Sequence, residues 1–402
     1  MRSATLRAVR LMVGLCATLV AATAHAGPLA FIADEERNQI DVIDTANDTV
    51  VGTGISVYPM GAPTGVTLSP DGKTLYATLD GTMGSLAIID AVALMLVGTV
   101  TVGASPYAAA LSPDSAFAYV SNAKDDTVSI VDTAARAVVA VVPVGQSPQG
   151  IVVTADGTRV YVANKVSNTI SVIDAACRTV TSTVTVAGVQ PMAMTLTPDA
   201  QTIYLTGVSS SALVGLDIAT DTVSAPIMVG TYPAAIAITP DGTHAYVANA
   251  NDGTVSVVDL TAAKVSATIN VGAIPDGVAV TPDGTQTLVT NANGDSLSVI
   301  DTASNQVTNT LMKVAIFPAG IVVTPVPHGP SDAGVGTCAS DGGDAGLSDA
   351  TTDVGADEDA STHEASSSGC GCQSAGQPGP RNGWVLALGL SFLVQGRRRQ
   401  RR

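Results

Sequence analysis

The chain of 402 residues contains few aromatic, histidine and cysteine residues. Aromatic side chains make up 3% of it, and it has four histidines and five cysteines. Scattered cysteines exclude a fold held by a disulfide framework, which needs several regularly spaced pairs. The shortage of histidine argues against a Ser-His-Asp set or a histidine metal cluster. We therefore predict no catalytic residues, no metal site and no cofactor.

Basic residues are also scarce in the region that we assign to the folded domain. Between residues 27 and 327 the chain has nine Lys and Arg against 25 Asp and Glu. Nucleic-acid binding needs clustered basic side chains that neutralise phosphates, so this balance excludes a nucleic-acid partner. It permits cations or basic partners. Sustained 3.6-residue periodicity is missing too, which argues against helices.

What the chain has instead is a repeat of 42 to 43 residues, present seven times. The first mark of each copy is a proline, at 63, 106, 148, 191, 233, 275 and 318. A turn such as Thr239-Pro240-Asp241-Gly242 follows, and an aspartate such as Asp259 ends a later apolar run. A repeat of this period is typical of supersecondary units that stack and bury their faces against one another.

One copy shows what each unit contains. After Pro233, four short apolar runs alternate with turn residues, and the Pro-Asp-Gly turn favours a tight reversal because proline fixes φ and glycine accepts positive φ. Four short antiparallel strands in about 42 residues are typical of a propeller blade. The sequence therefore predicts an all-β fold, a seven-bladed β-propeller of four-stranded antiparallel blades over residues 27–327.

The ends of the repeat array predict how the ring closes. The array begins with Phe31-Ile32-Ala33-Asp34, which matches a second strand, and ends with Pro318-Ala319-Gly320-Ile321-Val322-Val323, which matches a first strand. We expect the C-terminal strand to pair with the N-terminal three and complete one blade, which removes two open sheet edges.

Two segments carry a family resemblance. Tyr161-Val162-Ala163-Asn164 and Tyr246-Val247-Ala248-Asn249, each followed by a strand that ends in aspartate, resemble the YVTN family of β-propeller repeats found in surface-layer-type proteins. The resemblance covers roughly residues 28 to 327. It implies the fold and says little about function, because the repeated residues are those that build blades.

The two ends of the chain predict its destination. Residues 1–26 combine three arginines, an apolar stretch and Ala24-His25-Ala26, which is typical of a secretory signal peptide. Residues 328–369 contain nine acidic residues and no Lys or Arg, which predicts a disordered acidic spacer.

Residues 370–402 contain Cys370 and Cys372, then a short apolar run and a basic end. The order resembles the myxobacterial-type sorting signal MYXO-CTERM, which implies transient or processed membrane anchoring near the cysteines. A small disulfide or a metal pair are the alternatives for the two cysteines. We expect export to the cell surface or outer envelope, with release from the cell as a further possibility.

Candidate binding residues lie where the repeat varies. The residue after each repeated proline faces the channel mouth of a propeller, and its chemistry changes from unit to unit, as expected of a ligand site or of an unconstrained loop. From these positions and the neighbouring hairpin loops we select Tyr107, Gln149, Met192, Asp276 and Arg37. The repeated turn aspartates, such as Asp241, are interpreted as turn formers rather than catalytic carboxylates.

Two functions fit this sequence. The first is a monomeric surface-displayed binding or scaffold module that recognises a protein, a glycan or a small ligand at the channel mouth. The alternative is an exported hydrolase or lyase that resembles the lactonase-type seven-bladed propellers. The scarcity of histidine and the regularity of the units favour the first.

Overall fold

A computed structural model describes residues 27–325, and its fold is the predicted one. Seven antiparallel sheets contain all the strands of this region, and the single helical element is a 3-10 turn, η1 (Ala292–Gly294). The predicted segments 1–26, 328–369 and 370–402, with Cys370 and Cys372, lie outside the described residues. Within 27–325 no helix is long and apolar enough to cross a membrane.

The blades follow one another along the chain, and we number them from the N-terminus. Blade 1 contains β1 (Leu29–Asp34), β2 (Gln39–Asp44), β3 (Thr49–Val50), β4 (Ile55–Ser56) and the last strand, β30 (Pro318–Val323). Blade 2 contains β5 (Ala62–Leu68), β6 (Thr74–Asp80), β7 (Ser85–Asp90) and β8 (Met95–Thr101). Blade 3 contains β9 (Pro106–Leu111), β10 (Phe117–Asn122), β11 (Thr127–Asp132) and β12 (Ala137–Pro143).

The remaining blades repeat this order. Blade 4 contains β13 (Pro148–Val153), β14 (Arg159–Asn164), β15 (Thr169–Asp174) and β16 (Thr179–Thr185). Blade 5 contains β17 (Pro191–Leu196), β18 (Thr202–Gly207), β19 (Ala212–Asp217), β20 (Thr222–Val223) and β21 (Ile227–Met228). Blade 6 contains β22 (Pro233–Ile238), β23 (His244–Asn249), β24 (Thr254–Asp259) and β25 (Lys264–Asn270). Blade 7 contains β26 (Pro275–Val280), β27 (Gln286–Asn291), β28 (Ser296–Asp301) and β29 (Gln306–Met312).

The outer strands of blades 1 and 5 are each divided in two, which the repeat does not predict. In blade 5 the break contains Ser224, Ala225 and Pro226, and proline has no N–H to donate to the ladder. In blade 1 the break contains Gly52 and Gly54, both with positive φ. The fourth strand of these two blades is therefore a pair of short segments on the third strand.

The repeated aspartates form turns, as predicted. In blade 6, Asp241 Oδ1 accepts hydrogen bonds from Thr239 Oγ1 at 2.6 Å and from the backbone N–H of Thr243 at 3.0 Å, and Gly242 has φ 72°. Asp259, at the end of β24, accepts the N–H of Ala262 at 2.8 Å. Each carboxylate is used to hold a reversal of the chain.

The ring is held by apolar layers between the blades. Tyr76, Leu86 and Ile88 of blade 2 pack against Ala118 and Val120 of blade 3, and the same arrangement recurs around the ring. The few aromatic residues are concentrated at one position of the second strand, which is occupied by Phe31, Tyr76, Tyr119, Tyr161, Tyr204 and Tyr246. Small side chains elsewhere keep the sheets close.

Ring closure occurs as predicted. β30 pairs antiparallel with β1, with Phe31 opposite Val322 and Ile32 opposite Ile321. Two further hydrogen bonds extend this pairing, since the N–H of Leu29 donates to Thr324 Oγ1 and the N–H of Thr324 donates to Leu29 O, each at 2.8 Å. The two ends of the propeller are thus joined within blade 1.

Candidate functional site

The first strand of every blade lines the central channel. Neighbouring first strands are in contact all the way around the ring, from β5 through β9, β13, β17, β22 and β26 to β30 and back to β5. The strands approach so closely that a Cβ built on Gly65 would lie 2.6 Å from the carbonyl oxygen of Tyr107. The first strands are therefore tightly packed against one another, and the ends at which they begin form the channel mouth.

The backbone entering each first strand is held in an unusual conformation. The residues before the repeated prolines include Ser105, Gln190, Tyr232, Ile274 and Phe317, and all have φ between 50° and 54°. Positive φ is disfavoured for residues with a Cβ, and most of all for a β-branched one such as Ile274. Strained backbone of this kind is often found at ligand sites.

The repeated asparagine pins these entry segments. In blade 6, the Asn249 side chain accepts the N–H of Gly230 at 3.1 Å and donates to Thr254 Oγ1 at 3.0 Å and to Ser256 Oγ at 2.9 Å. A Cβ on Gly230 would lie 2.5 Å from the Asn249 amide carbon, so glycine is required there. The asparagine of the repeat is thus a structural residue that positions the mouth.

Tyr107 and Asp276 lie on opposite sides of the mouth, because they follow the repeated prolines of blades 3 and 7. Burial raises the pKa of Tyr107 well above its ordinary value, and the charges of Asp276 and Glu35 raise it further. Burial also raises the pKa of Asp276 from 3.8 to about 6, while the positive charge of Lys165 acts against that rise. The two predicted residues therefore share one electrostatic environment.

Lys165 and Tyr232 complete this group, and the sequence analysis did not select them. Lys165 follows the repeated asparagine of blade 4, and its Nζ donates to the hydroxyl of Tyr232, which precedes blade 6, at 3.3 Å. The same Nζ lies 5.5 Å from the Tyr232 ring centroid. Both side chains are half-buried. The contact spans blade 5, whose loop Val208-Ser209-Ser210-Ser211 is made of short side chains.

Gln149 and Met192 are placed differently from Tyr107 and Asp276. They are 7% and 6% exposed, so both are packed among their neighbours. The carbonyl of Gln149 accepts a hydrogen bond from Ser121 Oγ at 2.6 Å, which ties blade 4 to blade 3. Their role in ligand binding stays a prediction.

Arg37 contacts the closing blade. Its Nη1 lies 3.2 Å from Asp34 Oδ2, 3.9 Å from Asp41 Oδ2 and 3.3 Å from the carbonyl oxygen of Val314. Asp34 also accepts the N–H of Ile316 at 2.9 Å. These contacts connect the first hairpin to the segment that leads into β30, so Arg37 supports ring closure. Its predicted part in ligand binding stays a prediction.

The acidic, histidine and cysteine side chains of residues 27–325 are dispersed over the blades. That region holds no group of three or more His, Cys, Asp or Glu side chains arranged to bind a metal ion. The group formed by Tyr107, Lys165, Tyr232 and Asp276 offers one ammonium group, two phenols and one carboxyl group, and the charge of Glu35 also acts on Tyr107. The ammonium group can bind an anion, and the other groups can orient hydroxyl groups.

Comparisons with known proteins agree with the fold. The family model described as YNCE-like beta-propeller matches residues 107–218. A search of curated proteins found no significant match. A structure titled Kuenenia stuttgartiensis hydrazine synthase aligns with a TM-score of 0.60 and 24% identity, over 68% of this chain and 91% of that one.

The similar structures include proteins described as gluconolactonases. A periplasmic gluconolactonase from Pseudomonas aeruginosa aligns with a TM-score of 0.63 and 19% identity, over 75% of this chain and 99% of that one. A putative 6-phosphogluconolactonase from Bacteroides fragilis aligns with a TM-score of 0.65 and 14% identity, over 75% and 99%. At these identities the likeness concerns the fold alone, and the chain is a β-propeller protein.

Proposed function

We propose that the protein is an exported, surface-displayed propeller that binds an acidic carbohydrate, such as a sugar acid or a glycan carrying one, at the channel mouth. The observation that carries this proposal is the Lys165–Tyr232 contact, together with a half-buried Asp276 whose pKa is affected by the charge of Lys165. Lys165 supplies a positive charge for a carboxylate. Asp276, Tyr107 and Tyr232 supply hydrogen-bond partners for hydroxyl groups.

Titration of the purified chain with glucuronate and with uronic-acid oligosaccharides tests the binding site. We expect saturable binding that Lys165→Met abolishes, because the ligand carboxylate then loses its counter-charge. Neutral glucose should bind at least tenfold more weakly than glucuronate. Equal affinity of the Lys165→Met variant and the unmodified chain would overturn the proposal.

The pH dependence of binding gives a second readout. Because the pKa of Asp276 is about 6, its carboxylate accepts ligand hydroxyls above that pH and becomes protonated below it. Affinity should therefore fall as the pH drops from 7 to 5. The Asp276→Asn variant should bind weakly at both pH values and lose this dependence.

The lactonase alternative is favoured by one observation, the raised pKa of Asp276, since a general base works best with a pKa near the operating pH. The gluconolactonases among the similar structures make lactones the first substrates to assay. The decisive result would be lactone turnover that the Asp276→Asn substitution eliminates while glucuronate binding persists. That result would support the lactonase function in place of the binding function.

Surface display is proposed from the two ends of the sequence. A chain that lacks residues 370–402 should appear in the medium rather than at the cell surface. Cells that keep the truncated chain accessible to surface labelling would contradict the sorting role of Cys370 and Cys372.

A further inference from the structure

A cavity of ≈ 310 Å³ lies between blades 6 and 7, on the face opposite the channel mouth. It is bounded by the turns that follow the first and third strands, whereas the mouth is formed by the segments that precede the first strands. Its lining includes Asp241 and His244 of blade 6 and Asp283 and Asn305 of blade 7. The proposed carbohydrate site does not use any of these side chains.

The corresponding gap between blades 4 and 5 contains an arginine. Arg159 begins β14 as His244 begins β23, and each is paired with the aspartate that ends the third strand. The Arg159 guanidinium carbon lies 5.5 Å from the Tyr161 ring centroid, and its Nη1 lies 3.8 Å from Asp221 Oδ1. In that gap the chain supplies its own guanidinium group.

Two further gaps also contain an arginine, here supplied by the turn of the following blade. Between blades 3 and 4, the Arg178 guanidinium carbon lies 5.4 Å from the Phe117 ring centroid. Between blades 2 and 3, burial raises the pKa of Tyr76 and the positive charge of Arg136 acts against that rise. Three successive gaps therefore contain an arginine near an aromatic side chain of the second strand, and in the gap between blades 3 and 4 this side chain is the first residue of the strand, Phe117.

The gap at His244 keeps the acceptors and lacks the arginine. Tyr246 corresponds to Tyr161, and its hydroxyl donates to Asn305 Oδ1 at 3.0 Å, as Tyr161 donates to Asp221 Oδ1 at 3.0 Å. Hydrogen bonds from Thr239 and from Thr281 lower the pKa of Asp241 and of Asp283, so both carboxyl groups are ionised at neutral pH.

The His244 ring adds an acceptor. Thr243 Oγ1 donates to Asp241 Oδ2 at 2.9 Å, so its lone pair accepts from His244 Nδ1 at 2.8 Å. In the neutral ring with this tautomer, Nε2 carries the lone pair. Within residues 27–325 no hydrogen bond engages Nε2. The cavity therefore presents carboxylates and an imidazole nitrogen, all of which suit a donor with positive charge.

We propose that this cavity binds a guanidinium group from a molecule other than this chain, in the place where other blades put their own arginine. The group could belong to a free guanidino compound or to an arginine side chain of a partner. In either case planar N–H donors meet the carboxylates of Asp241 and Asp283, and the cation lies beside the Tyr246 ring.

Titration of the purified full chain with butylguanidine, measured by isothermal titration calorimetry, tests the proposal, and NMR of the His244 ring protons locates the binding site in the unsubstituted chain. Butylurea has nearly the same shape and no charge, so we expect it to bind at least tenfold more weakly. Equal binding of the two would overturn the proposal. His244→Arg should fill the cavity with an arginine side chain, as Arg159 does in the gap between blades 4 and 5, and should abolish binding. Undiminished binding by this variant would also overturn the proposal.

Two gain-of-function variants keep the test decisive if His244→Arg fails to fold. Asn305→Asp supplies the carboxylate that Asp221 offers in blade 5 and should tighten binding several-fold. Arg159→His should open a matching cavity between blades 4 and 5 and add a second binding event. If neither variant gains binding, the proposal fails.

The source of the group is decided by a second pair of ligands. Tighter binding of acetyl-Gly-Arg-Gly-amide than of agmatine supports the proposal with an arginine side chain of a partner as the source. The reverse order supports it with a free guanidino compound as the source.

Discussion

At the scale of single residues, Asp41 departs most from the repeat. Four other blades place serine there, and its hydroxyl accepts from the repeated asparagine, at Ser129, Ser171, Ser256 and Ser298. Blades 2 and 5 have the apolar residues Ala87 and Val214 instead. Blade 1 has Asp34 in place of the asparagine and Asp41, 3% exposed, in place of the serine. Burial, together with the hydrogen bond and the charge of the neighbouring Asp34, raises the pKa of Asp41 from 3.8 to about 7, against the opposing effects of Gln39 and Arg37.

This shift predicts how pH affects the stability of the ring. Between pH 4 and 7 the folded state holds a proton on Asp41 that the unfolded state has lost, so the stabilisation present at low pH is lost as the pH rises through 7. The full effect is up to roughly 4 kcal/mol, at ~1.4 kcal/mol per pKa unit. Asp41→Asn should therefore stabilise the protein at pH 8 and little at pH 4, measured by urea unfolding. Equal stabilisation at both pH values would contradict this.

The repeated asparagine gives the second residue-scale prediction. Asn291 accepts the N–H of Gly272 at 3.0 Å and donates to Ser296 at 3.1 Å and Ser298 at 3.0 Å, all in a buried setting. Asn291→Ala leaves these partners unsatisfied and should lower the free energy of unfolding by about 2–4 kcal/mol. Asn293→Ala, at an exposed position two residues away, should change it by less than about 0.5 kcal/mol and serves as the control.

At the scale of elements, β30 carries the closure of the ring. It pairs with β1, and Ala319 and Ile321, 2% and 9% exposed, pack into the neighbouring apolar layers. Its loss exposes the edge of β1 and the faces of blades 7 and 2.

Deletion of residues 317–323 should therefore abolish the cooperative thermal unfolding of the propeller. Calorimetry measures this directly, and a chain that ends at residue 325 is the control because it keeps β30. A deletion variant that still melts in one cooperative transition near the control temperature would refute the closure.

The elements were predictable from the sequence because turn chemistry sets them. Pro240, Asp241 and Gly242 fix one reversal, and the equivalent residues fix the same reversal in other blades. The divided outer strands were not predicted, because they depend on local residues such as Pro226 that interrupt an otherwise regular ladder. The effect of Asp34 on the pKa of Asp41 was not predicted either, because these two local residues replace the asparagine and the serine of the repeat.

At the scale of the whole molecule, the sequence predicted the ring and only part of the candidate site. Tyr107 and Asp276 were selected because they occupy the variable position after the proline, and their part in ligand binding stays a prediction. Lys165 and Tyr232 meet across blade 5, 67 residues apart, and such a contact follows from the radius of the ring rather than from any local pattern. The position of Lys165 directly after the repeated Asn164 was the available signal.

The whole molecule thus divides its residues between two tasks. Those that recur in each blade hold turns, entry segments and apolar layers. Those that change from blade to blade occupy the mouth and the gap at His244, where chemistry differs from one blade to the next. Ligand binding at the mouth and stability should therefore respond to different substitutions, whereas the gap at His244 also uses the recurring turn residues Asp241 and Asp283.

One calorimetric comparison tests this division most directly, with the glucuronate affinity and melting temperature of three chains measured side by side. Lys165→Met should lose binding and keep the melting temperature of the unmodified chain. Asp156→Ala removes a repeated turn acceptor, bonded to Thr154 at 2.5 Å, and should melt at a lower temperature with unchanged affinity. Unchanged affinity in Lys165→Met, or lost affinity in a folded Asp156→Ala chain, would contradict the account.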